Sequence, residues 1–122
     1  MKVLFPGKFN PIHVGHILQI AKLIKSHDVT VAIKCDIEGI MPYSEVNHIL
    51  DVIFNGKINT YSYIGSYTKG FPKKVKDMFD MVASANIEIL KSAVRQDIKV
   101  MQLTRIKGYR ASKMKEMYEN EM

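Results

Sequence analysis

The sequence predicts a doubly wound α/β domain: a parallel sheet of about five strands with helices on both faces. Three observations lead there. The chain has 122 residues, 47% of them apolar and 25% charged, which suits one globular domain and excludes disordered, collagen-like and membrane compositions. Short β-branched runs alternate with stretches whose apolar residues recur at three-four spacing. Alternation of this kind builds right-handed crossovers, and these place strands in parallel under helices. A single domain over residues 1–122 is expected.

Taken in order, Lys2 to Phe5 is a short apolar run stopped by Pro6-Gly7, the profile of a buried strand ending in a turn. Val14, Ile17, Leu18, Ala21 and Ile24 form the apolar stripe of a first helix, with Lys22 and Lys25 outside it. Val29 to Ile33 is β-branched and short, a second strand apolar on both faces. Ser44 is the expected N-cap of a second helix carrying Val46, Ile49, Leu50 and Ile53, closed by Asn55-Gly56. A third strand is placed near Thr60 to Ile64. Pro72 opens a third helix through Val75, Met78, Phe79 and Val82. Asn86 to Leu90 and Ile98 to Leu103 are the fourth and fifth strand candidates, and Ala111, Met114, Met117 and Tyr118 mark a closing helix.

Eighteen lysines and arginines against twelve acids leave a net charge of +6, which favours an anionic partner. The charge is concentrated. Between Lys91 and Lys115 eight bases face one acid, a local +7, so the remainder of the chain carries −1. Only Tyr109 supplies an aromatic ring within that stretch, so a nucleic-acid-binding module is not expected. Cys35 is the sole cysteine and cannot close an intrachain disulfide; with no secretory leader or membrane-spanning run visible, a cytoplasmic location is expected.

In a doubly wound sheet, ligands sit at the C-terminal ends of the strands where strand order reverses, so the loop after the first strand is the place to look. It reads Pro6-Gly7-Lys8-Phe9-Asn10-Pro11-Ile12-His13-Val14-Gly15-His16. Gly7 permits a tight exit from the strand, Gly15 allows close backbone approach, and the helix starting near Val14 directs its free N–H groups and positive dipole end into the same space. His13 and His16 share one side of the first helical turn, where imidazoles can donate to phosphate oxygens, and Lys8 adds a fixed charge. A surface pair, or a metal site completed by Cys35 or Asp36, is the alternative; metal alone explains neither Gly7 nor the Asn10-Pro11 turn.

Gly7 to His16 closely resembles the G-x-F-[DN]-P-x-H-x-G-H signature of the nucleotidyltransferase superfamily, whose H-x-G-H element also occurs in class I aminoacyl-tRNA synthetases. Leu103 to Glu116 is similar to the R-T-x-G-I-S-T-[ST]-x-[IL]-[KR] region of cytidylyltransferases such as the glycerol-3-phosphate enzyme. The resemblance implies the same Rossmann-like fold, and a reaction in which a phosphorylated small-molecule acceptor attacks the α-phosphorus of ATP or CTP and releases pyrophosphate. It assigns His13, His16 and Lys8 to catalysis, and Gly7, Phe9, Asn10, Gly15, Arg105, Ser112 and Lys115 to the nucleotide and its phosphates. Mg2+ is expected with the nucleotide, not on a protein metal site, and a homo-oligomer is in keeping with the family. The Phe9 to His13 form resembles adenylyltransferases acting on nicotinate or nicotinamide mononucleotide, and Phe5-Pro6-Gly7 the phosphopantetheine enzyme, so AMP transfer is preferred over CMP transfer.

Three positions depart from the pattern. Val46 stands where the family's second helix carries arginine, Leu90 to Ala93 where a G-x-D or G-x-[DN] turn follows the fourth strand, and Arg110 where a serine precedes the threonine pair. An inactive nucleotide-binding protein on the same fold is therefore the second reading.

Overall fold

The computed structural model describes residues 1–9, 11–36 and 41–105. Strands and helices alternate: β1 (Lys2–Gly7), α1 (Val14–Leu23), β2 (Asp28–Lys34), α2 (Tyr43–Phe54), β3 (Asn59–Tyr63), α3 (Lys73–Met78), β4 (Met81–Ser84), α4 (Ile87–Arg95) and β5 (Val100–Gln102). All strand pairs are parallel, in the order β3-β2-β1-β4-β5. This is a doubly wound, Rossmann-like sheet. The chain winds outward from β1 through β2 to β3, then crosses back to β4 beside β1, so strand order reverses between β1 and β4.

Strand periodicity divides the core in two. Val3, Phe5, Val29, Val31, Ile33, Met81 and Ala83 meet Ile20 and Leu23 of α1 and Val46, Leu50 and Phe54 of α2. Leu4, Ala32 and Val82 point the other way, against Val75 of α3 and Ile89 and Ala93 of α4. Apolar residues on both faces of β1, β2 and β4 are what central parallel strands require. Each fully buried side chain of the size of Leu4, Leu50 or Val31 contributes about 1.5–3 kcal/mol by leaving water.

Helix entries and exits follow local chemistry, with corrections to the sequence expectation. The first helix starts at Val14 as expected. The second begins at Tyr43, not after a Ser44 cap: Pro42, at φ −68 and ψ 159, sets the entry, and its carbonyl accepts from the Glu45 and Val46 amides. Its end is as expected, with Asn55 at φ +44 and Gly56 at φ +80 in the left-handed region that stops a helix.

The largest departure lies between Pro72 and Leu90. The third helix stops at Met78; Phe79 is already extended, the Asp80 amide donates to the Lys2 carbonyl, and Met81–Ser84 joins the sheet as β4. Asn86 to Leu90, expected as a strand, instead caps and opens α4, because the Asn86 side chain accepts from the Glu88 amide. Five strands are present among the described residues, but the fourth is displaced by one element. The proposed closing helix around Ala111 to Tyr118 lies outside the described residues. No helix among the described residues is long and apolar enough to cross a membrane.

Candidate functional site

Two helix N-termini converge at the C-terminal ends of β1 and β4, where the strand order reverses. The loop after β1 leads into α1, and Ser84-Ala85-Asn86 leads into α4. The segment after β5 runs along the same end of the sheet: the Leu103 amide donates to the Ser84 carbonyl at 2.8 Å, and the Gln19 side-chain amide of α1 donates to the Thr104 carbonyl at 3.0 Å. These two bonds carry Arg105 to the α1 side, where its guanidinium is close enough to act electrostatically on His16.

His13 is the N-cap of α1. Its Nδ1 accepts the Gly15 amide at 3.1 Å, while Nδ1 of His16, at the third helical position, accepts the His13 amide at 3.2 Å. This is a capping box in which both side chains are imidazoles. The rings stack with centroids 3.8 Å apart and planes 26° from parallel. An Nδ1 that accepts a backbone N–H holds a lone pair there, so the neutral ring carries its proton on Nε2. Both histidines are therefore presented as Nε2–H donors at a helix N-terminus.

Electrostatics agrees with that protonation state. Burial, then the neighbouring His13 and Arg105, holds the His16 pKa down at about 3, and burial also lowers that of His13. The pair is uncharged at neutral pH. A neutral pair of this kind offers an anion hydrogen bonds and helix-end polarity, not charge; the cations at this end are Arg105 and the exposed Lys8.

Gly7 and Phe9 take supporting places. Phe9 is 2% exposed with φ +51, and its ring lies over Gly7, where an added Cβ would fall 2.6 Å from a ring carbon. Gly7 is thus required by the ring above it. Gly15 is buried at the start of α1 and gives its amide to His13. Asn10, Ser112 and Lys115 lie outside the described residues.

Other expectations are rearranged. Val46 is a core residue, 1% exposed under the sheet. Leu90 to Ala93 sits inside α4, so the turn that follows the fourth strand is Ser84-Ala85-Asn86, which keeps asparagine in its third place. Ser84 and Asn86 were missed because the apolar spacing through Val82 read as helix; the signal that could have found them is Asn86, an N-cap residue two positions before Glu88. Among the described bases of the basic stretch, Lys91 pairs with Glu88 at 3.7 Å, Arg95 donates to the Thr68 carbonyl, and Arg105 acts on His16.

The residues weighed as metal partners are committed elsewhere. Asp36 binds Lys34 at 2.8 Å and accepts the Gly65 amide, while the Cys35 thiol donates to the Tyr63 carbonyl. No cluster of three metal-ligating side chains occurs among the described residues. The donor set beside α1, N–H groups and cations, suits phosphate oxygens.

A cavity of about 500 Å³ opens at the opposite end of the sheet, lined among others by Lys2, Asp28, Thr30, Asn59, Tyr61 and Lys74. It is a groove between α3 and the starts of β1, β2 and β3, and no helix N-terminus of the switch point reaches it. Position in the topology and donor chemistry favour the histidine cleft. No protein-family model matches the chain, and no curated protein matches it.

Proposed function

We propose that the chain is a nucleotidyltransferase that moves a nucleotidyl group from a nucleoside triphosphate to a phosphorylated small molecule. The observation that carries this reading is the paired capping box: His13 and His16, held by backbone amides through Nδ1, offer two Nε2–H donors at the N-terminus of α1, at the switch point of the sheet. A phosphate oxygen of the acceptor attacks the α-phosphorus in line. The new P–O bond forms as the bond from the α-phosphorus to the bridging oxygen breaks, and pyrophosphate leaves with that electron pair. No covalent enzyme intermediate is required.

Such chemistry asks the protein for positioning and for stabilisation of charge growing on the phosphate oxygens. His16 and His13 donate to those oxygens, Arg105 and Lys8 neutralise the departing pyrophosphate, and the first free amides of α1 add their polarity. When bound, magnesium shields the triphosphate. The likeness of the sequence to the superfamily supports the reading, adds Asn10, Ser112 and Lys115 to the site, and favours AMP over CMP transfer. Ser84-Ala85-Asn86, in the place of the family's G-x-[DN] turn, lends further support.

The test is pyrophosphate release with ATP and with CTP across a panel of phosphorylated acceptors. Turnover with one pair, faster with ATP, is expected; no release above blank with any pair overturns catalysis. Val46, buried where the family carries arginine, favours a second reading, a nucleotide-binding protein without activity. It predicts thermal stabilisation by ATP or CTP with no pyrophosphate released.

A further inference from the structure

The His16 imidazole is enclosed on two sides. His13 stacks on one face at 3.8 Å, and Phe9 meets it edge-on with ring centroids 4.8 Å apart and planes at 89°. Phe9 is itself backed by Phe5, 5.8 Å away. Its backbone is held at φ +51, a left-handed conformation that is strained for a phenylalanine. Gly7 lacks the Cβ that would collide with the ring. A glycine two residues before and a strained backbone therefore both serve one outcome, the placement of this ring against His16.

We infer that Phe9 is the positioning residue of His16: its side chain blocks rotation of the imidazole and keeps Nδ1 on the His13 amide and Nε2–H toward the cleft. Aromatic rings prefer this edge-to-face arrangement. A flip of the imidazole about its Cβ–Cγ bond would put the Cδ2–H where Nδ1 accepts the His13 amide, and the cap would break. The ring also excludes water from His16, in keeping with its depressed pKa. Phe9 touches no reacting atom in this account; it acts through His16.

The placement of the ring is read without substrate, so it stands or falls apart from the proposed reaction. Long-range 15N–1H correlation spectra of the intact chain report the tautomer and titration of each histidine. In the wild-type protein His16 is expected as a single Nε2–H tautomer that does not titrate between pH 8 and 5. Phe9→Leu should release it, giving mixed tautomers and a midpoint displaced toward the ordinary histidine value, whereas Phe54→Leu, which loosens the same core from α2, should leave it unchanged. Where turnover is measurable, Phe9→Leu should lower kcat on the order of tenfold with a smaller change in KM, as a displaced donor does. If Phe9→Leu does not fold, Phe9→Met offers a flexible chain of similar bulk with the same expectation. A wild-type His16 that titrates near pH 6.5, a Phe9 variant with His16 unaltered, or an equal effect from Phe54→Leu overturns the inference.

Discussion

The loop after β1 and the turn after β4 occupy equivalent places, each leading from a central strand into a helix that starts at the switch point, yet their caps differ in kind. At α4 the cap is Asn86, whose oxygen accepts the Glu88 amide at 2.9 Å, while the Ser84 hydroxyl accepts the Asn86 amide at 3.0 Å. Those acceptors are spent on the backbone. At α1 the caps are imidazoles, and each uses only one of its two nitrogens to close the helix. The second nitrogen remains, as an N–H, for a ligand. The α4 cap thus retains only the short Asn86 amide NH2 and Ser84 hydroxyl as donors, whereas the α1 caps carry theirs on imidazole rings that also close the helix.

The sharpest way to break that contrast is His16→Ala. It removes one donor and the acceptor of the His13 amide together. On the proposed chemistry, loss of a donor to the developing charge costs on the order of 100-fold or more in kcat. Initial rates of pyrophosphate release compare the variant with wild type, and an unchanged rate would take His16 out of the mechanism.

His13→Asn separates the two duties of a cap. Asparagine is among the best N-cap residues, so the bond to the Gly15 amide can be kept while the Nε2–H is lost, a donor that the shorter asparagine amide does not replace in position. Stability, by denaturant midpoint, should remain within about 0.5 kcal/mol of wild type, as expected when one good cap replaces another. Pyrophosphate release should fall on the order of tenfold or more. A variant that keeps full activity would show that His13 only caps α1.

The same contrast marks what the sequence made legible. The histidine loop was readable because its residue types are demanding: Gly7, His13, Gly15 and His16 have few bland explanations at that spacing. The first two β–α units were readable because apolar period and turn residues agreed. The second half was harder because Val75, Met78, Phe79 and Val82 keep helical spacing across what becomes a helix, a turn and a strand. Pairing of Val3 and Leu4 with Met81 and Val82 outweighs that local pattern. Ile87 and Ile89 flank Glu88 as strand residues would, and only the Asn86 cap reveals a helix. The link from Gln19 to Thr104, which brings Arg105 to His16, spans 85 positions and has no local signature.

The smallest expected effect concerns acid. His16 is held near pKa 3 in the folded chain against about 6.5 when unfolded, so below pH 6.5 the unfolded chain takes up a proton that the folded one refuses. Stability from this group is therefore complete above pH 6.5 and is lost as pH falls toward 3. Besides the His13 ring, Arg105 opposes the added charge. Asn86 does not titrate, so the α4 cap contributes no such dependence. Denaturant midpoints at pH 7 and pH 5 should differ by on the order of 1 kcal/mol through His16 once its partial exposure is allowed for. His16→Ala should flatten that slope and Asn86→Ala should leave it intact, while lowering stability by about 1 kcal/mol at both pH values. An identical slope in wild type and His16→Ala would mean that the acid sensitivity arises elsewhere and that this imidazole is free to charge, which the paired cap at α1 does not allow.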